Sequence, residues 1–382
     1  MNTGAARPKV VVCGTRFGRI YLAAFRDPDF PFELAGIVAR GGERSRRCAE
    51  HYGVPLYRSA DEVPPEVDIA CVVVSGGINA GPGAELAKQF LARGMHVLQE
   101  HQLSQDELAS CLQTARRHGA TYHLNTLYVH IDPVRRFIAA AREALRQRPL
   151  MYIEATTAFP VMYSMFDILG KAIGKVRPWR LPPAPPFPAD ALALAEFEPP
   201  FRTVEGVLAG VPCTLRVQHQ MDASDPENHA HLFHRITLGT EGGSLVLVNT
   251  HGPVVWNPRP RLPQELDDTV EPREATAEYL RYPSSVPIGP ASAIGYGDLM
   301  DQVWPAAVRR ALTGLWQAAS AGDPGIRDGQ YQLGLCQLFR EAAASIEPLD
   351  LSRRAYYDPL PVESLVAAAE AAVAPEISPA RV

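Results

Sequence analysis

VVVCGTRFGRIYL, residues 10–22, is the stretch whose reading decides the fold. Val10, Val11, Val12 and Cys13 form an unbroken apolar run, as expected of a strand covered on both faces, and Gly14 ends it. Phe17, Ile20, Tyr21 and Ala24 then recur at helical spacing, so a helix follows the turn. A strand, a glycine turn and a helix in that order open a dinucleotide-binding unit, whose fingerprint keeps a glycine in mid-turn where backbone meets a pyrophosphate. Here the turn reads Gly14-Thr15-Arg16-Phe17-Gly18, with an arginine in that place. Gly14 and Gly18 still allow a tight turn, and a guanidinium neutralises phosphate through its side chain. These five residues are therefore read as a cofactor loop, against the plainer alternative of a strand–turn–helix that binds nothing.

The pattern continues outward. Strands are predicted at 9–13, 33–39, 55–57, 69–74, 95–99 and 121–125, alternating with helices near 16–26, 44–52, 83–93 and 104–118. Gly53, Gly94 and Gly119 follow three of these helices, and Ser104 with Glu107 forms a capping-box pattern at the fourth. Alternation of this kind predicts an α/β, doubly wound parallel sheet, assigned here to a domain spanning 1–126. After Tyr128 the texture changes. A helix near 133–146, a strand at 150–158 and a helix near 162–174 lead into RPWRLPPAPPFPAD, a segment too rich in proline for a helix or central strand. Strands then follow at 203–208, 214–220 and 234–239, a turn with two adjacent glycines at 240–248 leads into another strand, and helices follow at 299–319 and 328–345. This second domain, 127–345, is read as α+β with a large open, mainly antiparallel sheet, and 346–382 as a partly frayed tail.

Composition narrows the function. The chain has 382 residues, 46% hydrophobic and 21% charged, with 37 Lys+Arg against 42 Asp+Glu and a formal charge of −5. That balance gives no general attraction to nucleic acid or to an anionic membrane. No apolar run reaches the roughly 18 residues of a membrane span. The opening MNTGAARPK lacks the apolar core of a secretion signal. The six cysteines are scattered, without the clustering of a metal site or disulfide framework, and read as reduced thiols of a cytoplasmic protein. His229, His231 and His234 invite a metal, but their spacing fits no strong zinc signature, so no metal is expected. A small-molecule enzyme is the default.

The end of the second strand bears on the cofactor. An NAD site places a carboxylate there for the ribose hydroxyls. GIVARGGERS offers Arg40, Arg44 and Ser45 instead, with Glu43 beyond the corner, so NADP is favoured over NAD. Ser75, opening the glycine-rich SGGINAGPG after the fourth predicted strand, is placed beside the cofactor. His101 and Tyr128 follow the fifth and sixth strands at the carboxyl edge where such sheets bind ligands. Imidazole has an unperturbed pKa of about 6.5 and phenol of about 10, so both can give a proton near neutrality. Use of the two in packing alone is the bland alternative.

Together these residues resemble the oxidoreductase family that includes glucose–fructose oxidoreductase and inositol dehydrogenase. The resemblance implies an N-terminal Rossmann domain and an α/β domain with an open sheet that dimerises. The family's Glu-Lys-Pro motif falls on Glu100-His101-Gln102, with histidine in place of the catalytic lysine. That departure, GTRFG, NTLYVH at 125–130 and YSMFDILGKAIG at 163–174 resemble one branch, the thiazolinyl imine reductases of pyochelin- and yersiniabactin-type siderophore biosynthesis. The branch keeps Lys or Arg in its first loop, which accounts for Arg16. It implies NADPH as cofactor, with Glu100 among its contacts, and a substrate tethered to a carrier domain of a nonribosomal peptide synthetase. Asn125, Tyr163 and Asp167 are then expected to line the substrate cleft, although Asp167 reads equally as a buried hydrogen-bonded acid. Lys171 stands where sugar dehydrogenases of the wider family have histidine. Their alcohol-oxidising set is thus incomplete, which leaves a sugar or polyol dehydrogenase as the alternative. A third reading is a protein that senses NADP without catalysis. Reduction of C=N needs one positioned proton donor, and Tyr128 or His101 fills that role.

Overall fold

The computed structural model describes residues 7–75, 81–222, 224, 229–260, 282–290, 294–323, 325–351 and 358–373. β1 (Lys9–Cys13), β2 (Glu33–Val38), β3 (Leu56–Tyr57), β4 (Ile69–Val72), β5 (His96–Glu100) and β6 (Tyr122–Asn125) form a six-stranded sheet in the order β3-β2-β1-β4-β5-β6. Every pair in it is parallel. Val10, Val11, Val12, Ile69 and Ala70 are fully buried, which is why both strands read as continuous apolar runs. A large aliphatic side chain buried in this way contributes about 1.5–3 kcal/mol. The helices are α1 (Gly18–Ala23), α2 (Glu43–Tyr52), α3 (Gly83–Ala92) and α4 (Gln105–Arg117). Ser104 Oγ accepts the Glu107 amide at 3.3 Å while Glu107 Oε2 accepts the Ser104 amide at 2.9 Å, closing the capping box on α4.

Strand order reverses at β1, whose neighbours β2 and β4 lie on opposite sides. Gly14 sits in the crevice between them. Its amide donates to the Val38 carbonyl at 2.9 Å, and a Cβ on it would stand 2.6 Å from the Val73 carbonyl. With φ at +93° as well, the position admits only glycine without a backbone shift.

α5 (Asp132–Gln147) leads into the second sheet, made of β7 (Leu150–Ala158), β8 (Phe201–Leu208), β9 (Val211–Gln218), β10 (His234–Thr240), β11 (Gly243–Leu247), β12 (Val254–Pro258) and β13 (Val286–Pro287). Their order is β13-β12-β11-β10-β7-β9-β8. α6 (Met162–Ile173) and the short α7 (Ala189–Leu192) lie between β7 and β8. The pairs are antiparallel except β7 with β9, so the sheet is mixed. Ala209 and Gly210, both at positive φ, make the two-residue hairpin that carries β9 back beside β7 and leaves β8 at the edge. The proline-rich segment stays extended and caps that edge, where Arg180 and Val207 exchange two backbone hydrogen bonds of 2.9 Å.

Ile153, Leu215, Ile236, Leu238 and Leu245 fill the covered face of this sheet, beneath α5 and α6. After α8 (Tyr296–Asp298) and a wide turn of helix at Leu299–Val303, α9 (Trp304–Ser320) and α10 (Ile326–Ile346) return to the first half. α9 packs on α1, β5 and β6, and α10 on α4, β6 and α6, so these helices join the two sheets. In the tail, Met221 donates to the Asp350 carbonyl at 2.8 Å, and α11 (Val362–Val373) is an exposed helix where fraying was expected. Its alanines carry the highest helix propensity of any residue.

Candidate active site

The first loop presents Arg16 to solvent, while Phe17 is half-buried against Trp304 of α9, with ring centroids 6.3 Å apart. Gly18 opens α1, where a Cβ would lie in ordinary contact, 3.6 Å from Val12 Cγ1. Thr15 is half-buried beside them. At the end of β2, Arg40 and Arg44 are exposed. Ser45 differs from expectation: it is buried, and its hydroxyl donates to the Gly42 carbonyl at 2.8 Å, so it closes the first turn of α2 and has no proton left to offer a phosphate. Ser75 is exposed and its carbonyl accepts the Gly83 amide at 3.0 Å. Residues 76–80 of that glycine-rich loop lie outside the described residues. An exposed arginine in the first loop, two more at the β2 corner and no paired carboxylate among them make a donor set that fits an anionic dinucleotide.

Glu100, expected at the cofactor, is instead turned into the protein. One carboxylate oxygen accepts from Tyr21 Oη and, at 3.4 Å, from Asn125 Nδ2; the other lies 2.9 Å from His101 Nδ1. Burial, reinforced by Glu100, pushes the Tyr21 phenol well above its ordinary pKa, so Tyr21 keeps its proton and stays a donor. Paired with a carboxylate oxygen, Nδ1 is the nitrogen that donates to Glu100, which leaves Nε2 for other partners. The following peptide, His101–Gln102, is cis, and Gln102 Nε2 donates to the Pro160 carbonyl at 3.0 Å, tying this turn to the second half of the chain.

Asn125 does not reach the cleft. It is 2% exposed, with Nδ2 donating to Tyr21 Oη at 2.6 Å and Oδ1 accepting the Leu127 amide at 3.1 Å. Leu127 adopts φ 56° and ψ −58°, and the Tyr128 amide donates to the Thr126 carbonyl at 2.6 Å. This is a γ-turn at positive φ, a rare and strained geometry that persists only where its surroundings hold it. Asn125 therefore ties the turn that aims Tyr128 to the group that orients His101.

Tyr163 and Asp167 are also buried rather than open to a substrate. The Tyr163 ring stacks on His101 at 5.6 Å, and its hydroxyl donates to Gln332 Oε1 at 2.9 Å. Asp167 is 1% exposed; it accepts from Thr126 Oγ1 at 2.6 Å and from Tyr331 Oη at 2.9 Å, with Lys171 Nζ at 3.6 Å. Of its two sequence readings, the buried acid is the one the packing supports. Ser164, next to Tyr163, lies 2.9 Å from His234 Nε2, and the His234 ring meets Tyr128 edge-on at 5.0 Å. Adjacent residues of α6 thus back both proton-donor candidates.

His234 is a packing residue. Nε2 lies 3.0 Å from the Val161 carbonyl, which can only accept, and Nδ1 lies 2.9 Å from Thr250 Oγ1. Burial lowers its pKa to about 3, so it is neutral. Beyond it, Phe233, His251, Trp304 and Phe17 continue a wall of rings at centroid spacings of 6.3, 6.0 and 6.3 Å. Trp304 Nε1 donates to His251 Nε2 at 3.2 Å, and burial lowers the His251 pKa to about 4. Tyr21, His251 and Trp304 were not singled out from sequence. Tyr21 reads there as one more apolar helix position, and the other two arrive from distant segments with no motif around them.

Two family models match this chain. Residues 8–126 match the oxidoreductase family with an NAD-binding Rossmann fold, and residues 147–257 match the C-terminal part of the Irp3-like thiazolinyl imine reductases. The chain belongs to this family of Rossmann-fold oxidoreductases. Within it, residues 147–257, which carry β7 to β11 and the His234 ring beside Tyr128, match the Irp3-like type. No curated protein sequence matches it significantly. Among solved structures, a UDP-N-acetylglucosamine 3-dehydrogenase from Acidithiobacillus ferrooxidans is 14% identical, with a TM-score of 0.60, covering 89% of this chain and 98% of that one. A 3-ketoreductase from Actinomadura kijaniata, in complex with TDP-benzene and NADP, is 16% identical, with a TM-score of 0.59 and the same coverages of 89% and 98%. An NAD-binding oxidoreductase from Klebsiella pneumoniae is 13% identical, with a TM-score of 0.62, covering 92% of this chain and 98% of that one. At such identities the likeness is one of fold.

Proposed function

We propose that this oxidoreductase reduces the C=N bond of a thiazoline ring to a thiazolidine, with NADPH as reductant. The observation that carries the reading is the Irp3-like match over residues 147–257, the segment that supplies β7, α6 and the ring wall around Tyr128. Asp167 supports it: where sugar dehydrogenases of the wider family pair this acid with a histidine, here it is buried and engages Thr126, Tyr331 and the half-buried Lys171. NADPH, when bound, supplies the hydride that adds to the imine carbon. Residues Gly14 to Gly18, with Arg40 and Arg44, would hold it. The C=N π bond is replaced by a C–H and an N–H bond, so the chain itself must deliver one proton to nitrogen. Tyr128 is the direct donor in this reading and His101 its partner or alternate, with Glu100 holding Nδ1–H so that Nε2 can pass a proton on.

The tethered substrate of the branch makes a peptide-synthetase carrier domain the expected partner, and a second copy of the chain the expected neighbour across the open sheet. The cytoplasm, where six free thiols stay reduced, is the expected compartment. One assay tests the reading: NADPH oxidation with a soluble thiazoline analogue, run beside NADP reduction with a panel of sugars and polyols. Turnover of the thiazoline is expected. Turnover of sugars alone overturns the proposal, and coenzyme binding with no turnover of either class points to a sensor.

A further inference from the structure

We infer that Arg58 is a specificity-determining residue of the coenzyme site, a ligand of the adenosine 2′-phosphate; this rests on the NADPH reading above. β3 is only two residues long, but it pairs parallel with β2 in the register Val38 to Tyr57, and the Ala39 amide donates to the Tyr57 carbonyl at 3.0 Å. The residue after β3 is thereby set beside the residues after β2, the corner where a Rossmann sheet receives the adenosine ribose.

Gly41 borders it. Its φ is +80°, and a Cβ there would stand in ordinary contact, 3.4 Å from Arg58 Nε and 3.5 Å from Cζ, so the guanidinium packs beside this glycine. Arg58 is exposed. Glu62, four residues on, spends a carboxylate oxygen on the Arg58 backbone amide at 2.7 Å. Among the described residues no ion pair involves Arg40, Arg44 or Arg58. Nearby arginines behave differently. Arg46 donates to the Gly41 carbonyl at 2.6 Å, and Arg93 donates to the carbonyls of Ala60 and Val63.

Arg58 thus lies uncommitted beside Gly41, the exposed Arg40 and Arg44 flank Gly41 and Gly42 in sequence, and a Cβ on Gly42 would meet nothing within 4 Å. That is space and charge for a dianion, not for a ribose hydroxyl. A guanidinium binds phosphate through paired N–H donors, and one packed beside a glycine loses less freedom on doing so than a free side chain. Ser45 cannot serve, since its hydroxyl is bound to Gly42. Arg58, the residue after β3 and thirteen positions beyond Ser45, fills the place.

The test is equilibrium titration of the full chain with NADPH and with NADH, in the unaltered protein, Arg58→Ala and Arg58→Lys. Removing a charge-assisted hydrogen bond to phosphate predicts that Arg58→Ala weakens NADPH about tenfold or more and NADH less than about twofold. Arg58→Lys should recover part of the loss. An equal loss for both coenzymes, or no loss, overturns the assignment while leaving the NADPH reading intact if the unaltered protein still prefers NADPH. Equal affinity of the unaltered protein for both coenzymes overturns the NADPH reading itself.

Discussion

Glu100 accepts from Tyr21, Asn125 and His101, and none of those contacts faces the cleft. The consequence is a division of labour between residues that meet substrate and residues that aim them. Tyr128→Phe combined with His101→Ala removes both proposed proton donors and should lower turnover at least about tenfold, with NADPH affinity nearly unchanged. Full activity in that double variant, measured with the thiazoline analogue, would remove the catalytic assignment. Asn125→Ala acts without touching substrate. It leaves the Leu127 amide without its acceptor and takes one donor from Tyr21 Oη, which still donates to Glu100, so a fall in kcat is expected while the coenzyme Kd stays within about twofold. A loss of about 1–3 kcal/mol in stability should accompany it, read by denaturant titration. An unchanged kcat would reduce Asn125 to a packing role. At this scale the sequence is only half legible. His101 and Tyr128 stand out because they follow strands at a sheet edge. Asn125, Ser45 and Glu100 have the right chemistry for a ligand but face inward, and no residue type declares which way it points.

The elements of the first half were legible because their periodicity, glycine stops and capping box all agree. Replacing Ser104 by Ala should cost about 1 kcal/mol, measured by chemical denaturation, because two amides of α4 depend on the box. The second sheet was less legible. Prolines at Pro253 and Pro258 bracket β12 and hide it, and β13 is two residues long. The parallel pairing of β7 with β9 is a property of the hairpin geometry and of neither strand alone. One feature of these elements is measurable in solution. His130 in the turn after β6, His234 opening β10 and His251 after β11 have pKa values lowered by burial to about 4, about 3 and about 4. Unfolded, each binds a proton near the ordinary value of 6.5. The unfolded chain therefore holds more protons through the window from pH 6.5 down to about 4, and stability is present above that window and lost within it as pH falls. At pH 5 each histidine should cost about 2 kcal/mol relative to pH 7.5. A melting temperature that stays level from pH 7.5 to pH 5 would contradict the burial of these rings.

As a whole, the molecule joins two sheets through α9 and α10, which sequence alone assigns to the second domain although they pack on both. Helical periodicity reports that a face is buried, never against what. The open face of the second sheet remains, carrying Glu154, Thr156, Arg235, Thr237 and Thr214 in register across its central strands. If a second copy covers it, light scattering should report a dimer, and Thr237→Arg at its centre should yield a monomer with coenzyme binding retained. A monomer in the unaltered protein would dispose of that partner.

The proposed reaction delivers a hydride to carbon and a proton to nitrogen of one C=N bond. Incubating the enzyme with a thiazoline analogue and NADPH deuterated at the transferable C4 position, followed by mass spectrometry, reads that transfer directly. A thiazolidine carrying one deuterium on the former imine carbon is the predicted product. Recovery of unreduced thiazoline from an enzyme that binds NADPH and oxidises a sugar would contradict it.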